Sequence, residues 1–409
     1  MPSETALHTA LFERLLVGVI LALAFVGTFF VGFATTYVLA GLALVAIGYL
    51  LARRGDVRWR LDPMARLFLA AFVLLAVLFA LTATTPRDVE LTFNFTAFLI
   101  YAPLAILLSR HPRSANALTI ASLALAGVGL ATAICVVQVF VLNEGRAAGF
   151  NSDTIRFADT AVIFGFLSVM GWREVSGVRR WLFLLGPVLA LGVVVLTGAR
   201  IDMIAYPAVA VVTLFLMVPR RWVVPLAIAL VAVLVAAGLL IAFSGNARFD
   251  SLLTTIGQIA SGQTVSDESV HIRLELYRAG WQAFLQSPLI GHGWAHMMSS
   301  AGQFLPADEQ WYTTGLPHLH NELLNFAVFG GLVGVALYVV LLVSPVWLAV
   351  RSPQDAQHRQ RVFGTAIVST AYFMMGLTDT MVSFELHTEF YVVLTATILT
   401  LGTAPAAQP

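Results

Sequence analysis

The chain has 409 residues, of which 59% are hydrophobic and only 11% are charged. Soluble domains contain about 25% charged residues, so this composition excludes an ordinary water-soluble protein and indicates a polytopic membrane protein. One cysteine excludes an internal disulfide framework, and the apolar content excludes intrinsic disorder. The net charge is +1 and all 23 basic residues are arginine, so the position of each charge carries the information.

The predicted elements are membrane-spanning helices. Crossing a hydrocarbon layer of roughly 30 Å takes about 20 largely apolar residues, and about twelve such runs follow one another along the chain. They cover roughly 15–33, 36–51, 64–82, 91–108, 116–142, 157–172, 181–197, 202–218, 222–243, 321–349, 362–378 and 386–402. Eleven or thirteen spans also fit, because several runs are short or nearly fused. The first run predicts a retained helix and not a cleaved signal peptide.

The arginines predict the orientation of the chain. Short cytoplasmic loops retain positive charge, and a cytoplasmic N-terminus places 16 of the 23 arginines inside. Both termini are then cytoplasmic. The predicted organisation has three parts: transmembrane helices 1–9 in residues 1–243, a large periplasmic loop at 244–320, and helices 10–12 with a short cytoplasmic tail at 321–409.

Two segments of the large loop have apolar residues at helical spacing, which predicts amphipathic helices on the bilayer or on the helix bundle. The first segment contains Phe249, Leu252, Leu253, Ile256 and Ile259, and the second contains Tyr277, Trp281, Phe284 and Leu285.

Periplasmic arginines are the first candidate site residues. Arg200 lies in a short turn between two apolar spans, where a guanidinium needs an anion to offset its desolvation. That anion is either a bound ligand or Asp202. In the large loop, Glu275 precedes Arg278 by one helical turn and is its expected partner, which leaves Arg273 as the better functional cation. Arg278 is retained as a candidate substrate-binding residue.

A glycine-containing turn, Gly145 to Asn151, follows the fifth predicted span. Its exposed backbone N–H groups, together with Arg146 and Asn151, predict a site for a phosphate or a sugar. A generic loop has a similar composition, so this prediction depends on the other anion-binding residues expected on the same side.

The segment from Pro317 to Glu322 leads into the tenth predicted span. Histidine suits proton removal near neutral pH and a helix N-terminus favours the neutral imidazole, so His320 is the candidate general base. Asn321 or Glu322 orients it or binds a substrate hydroxyl, and His318 binds substrate or caps the helix. A His-x-His pair also occurs in zinc sites, but no third ligand follows at a standard spacing, and no metal is predicted.

Two acidic groups leave alternatives open. Asp88 and Glu90 form either a divalent-ion site or a solvated loop. A second group crowds the connection between the last two spans and forms a candidate substrate path: Asp379, Glu385, His387 and Glu389.

The order of these motifs resembles the bacterial O-antigen ligase family, part of the ligase and polymerase superfamily of surface-polysaccharide enzymes. The matching pieces are Arg146-Ala-Ala-Gly149, Thr197-Gly-Ala-Arg200, Arg273 to Trp281 with Pro288-Leu-Ile-Gly291-His-Gly293, and His320-Asn-Glu-Leu-Leu324. No single piece is specific, but their order, spacing and common membrane side are. The resemblance implies an all-α polytopic protein of the bacterial inner membrane, with a GT-C-like glycosyltransferase architecture and a periplasmic active site.

The resemblance also implies transfer of a glycan from undecaprenyl pyrophosphate to a sugar hydroxyl of the lipid A core. In that chemistry His320 removes the acceptor proton, Arg200 and Arg273 neutralise the departing pyrophosphate, and direct displacement inverts the anomeric configuration. The expected partners are the lipid-linked donor, the lipid A-core acceptor and the bilayer. No cofactor, metal or nucleic acid is expected.

Three other functions stay open at the level of sequence. An O-antigen polymerase uses the same donor but adds to another lipid-linked glycan, and a protein O-oligosaccharyltransferase adds to a protein. A twelve-span transporter is the non-enzyme alternative, although its charged sites would lie mid-membrane between repeated halves. Here the charges cluster at one face.

Overall fold

The computed structural model describes residues 4–402 with gaps at Phe33, 54–60, 151–152, 244–253, Ile256, Ile259 and Thr264. Across the described residues the regular elements are all helical and no strand occurs, which confirms the all-α class. The five apolar residues that define the first predicted amphipathic segment of the large loop fall outside the described residues.

Nine helical segments of the described residues are long and apolar enough to cross a membrane. We label them α1 Ala10–Phe30, α2 Ala34–Ala52, α3 Pro63–Thr82, α4 Pro86–Arg110, α5 Ala117–Val141, α6 Thr154–Glu174, α7 Gly177–Thr197, α8 Arg200–Met217 and α11 Glu322–Val350. The other long helices are α9 Arg220–Phe243, α10 Glu268–Gln286, α12 His358–Gly376 and α13 Glu385–Leu399. Helices therefore occupy all the predicted spans and form a multi-pass membrane protein, while the count of twelve crossings stays a prediction.

Side-chain caps explain where several helices begin. Five side chains each accept a hydrogen bond from a backbone N–H in the first turn of the helix that follows: Asp62, Asn116, Asp153, Asp267 and Asn321. The first turn of a helix leaves such N–H groups without intrahelical partners, and short polar side chains satisfy them. The last two caps start the two helices, α10 and α11, that flank the candidate site.

Helix α6 lies at the centre of the bundle. It packs against α5, α7, α8 and α12, and almost all of its residues are buried. Its buried residues include Arg156 and Asp159, and the facing helix α8 contributes the buried Asp202. Ionisable groups inside a membrane bundle are costly and mark positions with a specific task.

Helix α11 is broken at Gly331, whose φ of 61° lies in the left-handed region. The segment 288–293 lies against this break, where the N–H groups of His292 and Gly293 donate to α11 carbonyls at 2.8 and 2.9 Å. A Cβ atom on Gly291 would lie 2.4 Å from the backbone of α11. The Pro-x-x-Gly-x-Gly motif thus satisfies backbone groups that a broken helix exposes, and it fixes this part of the large loop on the helix that follows His320.

Candidate functional site

A cavity of about 520 Å³ lies between α6, the α7–α8 turn, α10 and the connection that follows α12. Three of the predicted arginines line it: Arg146, Arg200 and Arg273. Tyr277 and Thr378 also contribute to its wall. The structure therefore brings together cations that are up to 127 positions apart in the sequence.

Arg200 reaches the cavity because the chain reverses sharply before it. Helix α7 ends at Thr197, the capping residue Gly198 has a left-handed φ of 63°, and α8 begins at Arg200. The Arg200 guanidinium lies 2.7 Å from the carboxylate of Asp267, which also caps α10. Asp202, the alternative partner considered from the sequence, has no hydrogen-bond partner on either carboxylate oxygen among the described residues, so a pair with Asp202 is wrong.

The two arginines of α10 have different surroundings. Arg273 lines the cavity and donates to the carbonyl of Ser269 at 3.0 Å. Arg278 is 53% exposed, donates to Glu275 at 2.9 Å and to the carbonyl of Phe304 at 3.1 Å, and is absent from the cavity wall. The expected pairing of Arg278 with Glu275 is confirmed.

The glycine-containing turn places its arginine side chain in the cavity wall, but two of its backbone N–H groups are already hydrogen-bonded. The N–H groups of Ala148 and Gly149 donate to the side chain of Gln138 at 3.2 and 2.9 Å, so the expectation of exposed backbone donors is wrong for these two groups. The Arg146 guanidinium donates to the carbonyl of Thr197 at 2.8 Å, beside the Arg200 turn. Asn151, the other residue predicted to bind substrate there, lies outside the described residues.

Tyr277 connects the cavity to His320. Its hydroxyl donates to the carbonyl of His320 at 2.7 Å and to that of Leu377 at 3.3 Å. Burial raises the pKa of Tyr277 to about 12, so the phenol stays a hydrogen-bond donor at physiological pH. His320 itself has a left-handed φ of 53°, a conformation uncommon for a residue other than glycine. The same tyrosine thus borders the cavity and holds the backbone of the candidate base.

Asp379 is the acid beside His320. Its Oδ1 lies 3.7 Å from Nδ1 of His320, a ring nitrogen that is buried with no hydrogen-bond partner of its own among the described residues. Burial opposes ionisation of Asp379, but Arg156 and His320 outweigh it and hold the pKa of that carboxyl below its usual range. Because Nδ1 faces a carboxylate, Nε2 is the nitrogen that remains to take up a proton.

His318 is a neutral neighbour. Burial lowers the pKa of His318 to about 3, and its Nδ1 accepts from the backbone N–H of His320 at 3.2 Å. The ring therefore has its proton on Nε2, which points towards Asp379 at 3.9 Å.

Three potential metal ligands lie within 4.8 Å of one another: His318, His320 and Asp379. The third ligand that the sequence spacing did not show is therefore present. The donor set fits a metal poorly. The Asp379 oxygen already accepts from the Arg156 guanidinium at 3.1 Å, and the facing nitrogen of His318 has a proton. A cation there would have to displace both, so no step is assigned to a metal.

Asn321 and Glu322 hold the connection that contains Asp379. Asn321 caps α11 and donates to the carbonyl of Leu377 at 2.8 Å. The fully buried Glu322 carboxylate accepts from the N–H groups of Met381 and Ser383 at 3.0 and 2.8 Å. These contacts give both side chains a positioning role, and their predicted contact with substrate stays a prediction.

Arg156 was missed as a site residue. It is 4% exposed, donates to Asp379 at 3.1 Å and to the hydroxyl and carbonyl of Thr380, and lies 4.3 Å from the ring centre of Phe384. Its position outside the cytoplasmic loops was the only sequence signal, because nothing in the spacing links it to residues over 220 positions later.

Asp88 does not offer its oxygens to an ion. Its carboxylate accepts from the backbone N–H groups of Thr84 and Thr85 at 2.7 and 2.9 Å and so caps a short helix. The divalent-ion alternative is therefore wrong for this residue.

Comparison with known sequences finds a match that includes several of these site residues. Residues 185–339 match the family model described as O-Antigen ligase. The predicted resemblance to the O-antigen ligase family is confirmed. The chain is also 22% identical over 298 residues to the O-antigen ligase of Escherichia coli strain K12, a match that covers 71% of this chain and 67% of that protein.

The region similar to the O-antigen ligase family contains Arg200, Arg273 and His320. Arg146 and Asp379 lie outside it, but the structure places both beside residues that lie within it. The family match and the geometry therefore point to one location, where the cavity and the His320–Asp379 pair meet.

Proposed function

We propose that the protein is a glycosyltransferase of the O-antigen ligase type. It transfers a glycan from undecaprenyl pyrophosphate to a sugar hydroxyl of the lipid A core, at the periplasmic face of the bacterial inner membrane. The observation that supports this most is the cavity lined by Arg146, Arg200 and Arg273, whose wall residue Tyr277 holds His320. Anion binding and a base are what this transfer requires.

The donor diphosphate binds at the arginines. Guanidinium groups remain charged at all accessible pH values and pair bidentately with phosphate oxygens, so they offset the charge that develops on the leaving pyrophosphate. Arg200 and Arg273 contact the departing group in this proposal, and Arg146 contributes from its place beside the Arg200 turn. These side chains supply the positive charge, and metal removal should leave turnover intact.

His320 acts as the general base. Its Nε2 takes the proton of the acceptor hydroxyl while that oxygen attacks the anomeric carbon and the carbon–oxygen bond to pyrophosphate breaks. The Asp379 carboxylate, 3.7 Å from Nδ1, stabilises the imidazolium that forms. A single displacement of this kind inverts the anomeric configuration.

Substitution of the base tests the mechanism. His320→Ala should lower transfer by about 10² to 10⁴-fold, while the lipid-linked donor still binds. The matched control is His358→Ala at the start of α12, which should transfer at the wild-type rate. Transfer by His320→Ala at near the wild-type rate would remove His320 as the base.

The choice of acceptor tests the function itself. Purified protein is given the lipid-linked donor with lipid A-core, with a second lipid-linked glycan, or with a pilin-like protein. Product on lipid A-core supports the ligase, and product only on one of the others assigns a polymerase or a protein O-oligosaccharyltransferase. Movement of labelled lipid across proteoliposomes without any covalent product would assign a transporter.

A further inference from the structure

The guanidinium of Arg156 faces two buried carboxylates and the exposed Asp153, whose carboxylate lies 3.9 Å from Nε. Nη2 lies 3.1 Å from Asp379, and Nη1 lies 3.9 Å from Asp159, one turn further along α6. Arg156 is 4% exposed, so these charges act on one another with little screening by water. The proposed mechanism gives a role to Asp379 but none to Asp159.

Asp159 does not stand alone, because Asp202 of α8 faces it. Both side chains are fully buried, and the two carboxyl groups lie within hydrogen-bonding range of each other. Among the described residues, neither carboxyl accepts a hydrogen bond from any N–H or O–H group. Two carboxylates so close and so buried cannot both be ionised, whereas one proton between them replaces repulsion with a hydrogen bond.

The surroundings decide which carboxyl holds that proton. The Arg156 guanidinium and Nε2 of His387 both face Asp159, the second at 3.6 Å. His387 is fully buried, and neither of its ring nitrogens has a hydrogen-bond partner among the described residues. The Arg156 cation lies 3.9 Å from Asp159 and favours its ionised form, so the proton belongs to Asp202.

We infer that Asp202 holds a proton that it shares with Asp159, and that the Asp159 carboxylate acts through Arg156 to position Asp379 beside His320. The second half of this inference rests on the proposed function. It makes Asp159 and Arg156 positioning residues, since neither touches the reacting groups.

The second carboxylate matters because of what it does to Arg156. With Asp159 ionised, the guanidinium divides its attraction between two buried anions and the exposed Asp153, and Asp379 keeps more of its own attraction for the imidazolium of His320. With Asp159 neutral, Asp379 is the one buried anion that Arg156 faces among the described residues, and the stronger pairing weakens that support. The titratable groups beside His320 are Asp379 and His318, and Arg156 and Arg273 act on His318 from further away.

Two asparagine variants of the full-length protein in lipid nanodiscs separate the two carboxyls. Asp202→Asn keeps an N–H donor where the protonated carboxyl donated, so transfer should stay within about threefold of wild type. Asp159→Asn removes the negative charge, so kcat should fall by about five- to thirtyfold while the donor KM stays nearly constant. The acid limb of its kcat/KM profile should also move to lower pH, a shift that a merely structural role does not produce.

Infrared spectroscopy at neutral pH tests the shared proton without any substrate. The spectrum of wild type minus that of Asp202→Asn should show the carbonyl band of one buried protonated carboxyl, sensitive to deuterium exchange. This reading also decides the question if Asp159→Asn fails to fold.

Equal loss of transfer in both variants, or an infrared difference without the carboxyl band, would overturn the inference. Full transfer by Asp159→Asn would overturn it as well. The infrared result is independent of His320, so a wild-type rate in His320→Ala would refute the mechanism and leave the shared proton standing.

Discussion

The molecule has two arginine regions that the sequence does not distinguish. One is the cavity, where Arg200 is 31% exposed and pairs with Asp267, which also lines the cavity. The other surrounds Arg156, which is 4% exposed and is enclosed by Asp379, Thr380 and the ring of Phe384. Both regions lie on the predicted periplasmic side, close to His320.

The difference lies in what each guanidinium can still bind. A cavity arginine lines open space, so an incoming diphosphate reaches it through the cavity. Arg156 is already surrounded, and taking it away leaves buried carboxylates without a counter-charge. Cations of the first kind act on substrate, whereas a cation of the second kind holds the residues that do, and mutations should therefore separate activity from stability.

The largest expected effect is in the cavity. Arg200→Ala should reduce transfer by about 10² to 10³-fold, because it removes a preorganised cation from the leaving group, and the midpoint of thermal unfolding should hardly change. The matched control is Arg278→Ala, which removes an exposed arginine of α10 that pairs with Glu275. Equal losses in the two variants would show that the cavity is not the anion site.

The second effect is on stability. Arg156→Met keeps much of the side-chain volume but leaves Asp379 and Asp159 without their guanidinium, so the protein should lose about 3 kcal/mol of unfolding free energy. Thermal unfolding in detergent measures this loss, with Arg200→Ala as the comparison. If Arg156→Met unfolds at the wild-type temperature, the distinction between the two regions fails.

The fold was largely predictable because hydropathy acts locally. Runs of about 20 apolar residues gave the positions of the helices, since a segment that crosses a bilayer must satisfy its own backbone. The break of α11 at Gly331 was not predicted. It depends on pairing with segment 288–293, about 40 positions earlier, and no local pattern records such a contact.

The site residues that could be predicted were those whose charge is unusual for their position in the sequence. Arg146, Arg200 and Arg273 stood out because each is a cation on an otherwise acidic side, and the cavity contains all three. Asp379 appeared only as one of several crowded acids, and Arg156 only as an arginine out of place. Their roles come from contacts between α6 and the connection after α12, which tertiary packing creates.

The smallest effect tests how closed the region around Asp379 is. The folded protein holds the pKa of His318 near 3 by burial, whereas an unfolded histidine has a pKa of about 6.5. Between these values the unfolded chain binds a proton that the folded protein does not, so stability falls as pH falls, by up to about 1.4 kcal/mol per pH unit. Above about pH 7 the effect disappears.

His318→Gln has no titratable side chain at this position, so its unfolding free energy, measured from pH 7.5 to 5, should decline less steeply than that of wild type. Parallel curves would mean that water reaches His318 freely, and that the region around Arg156 is as open as the cavity.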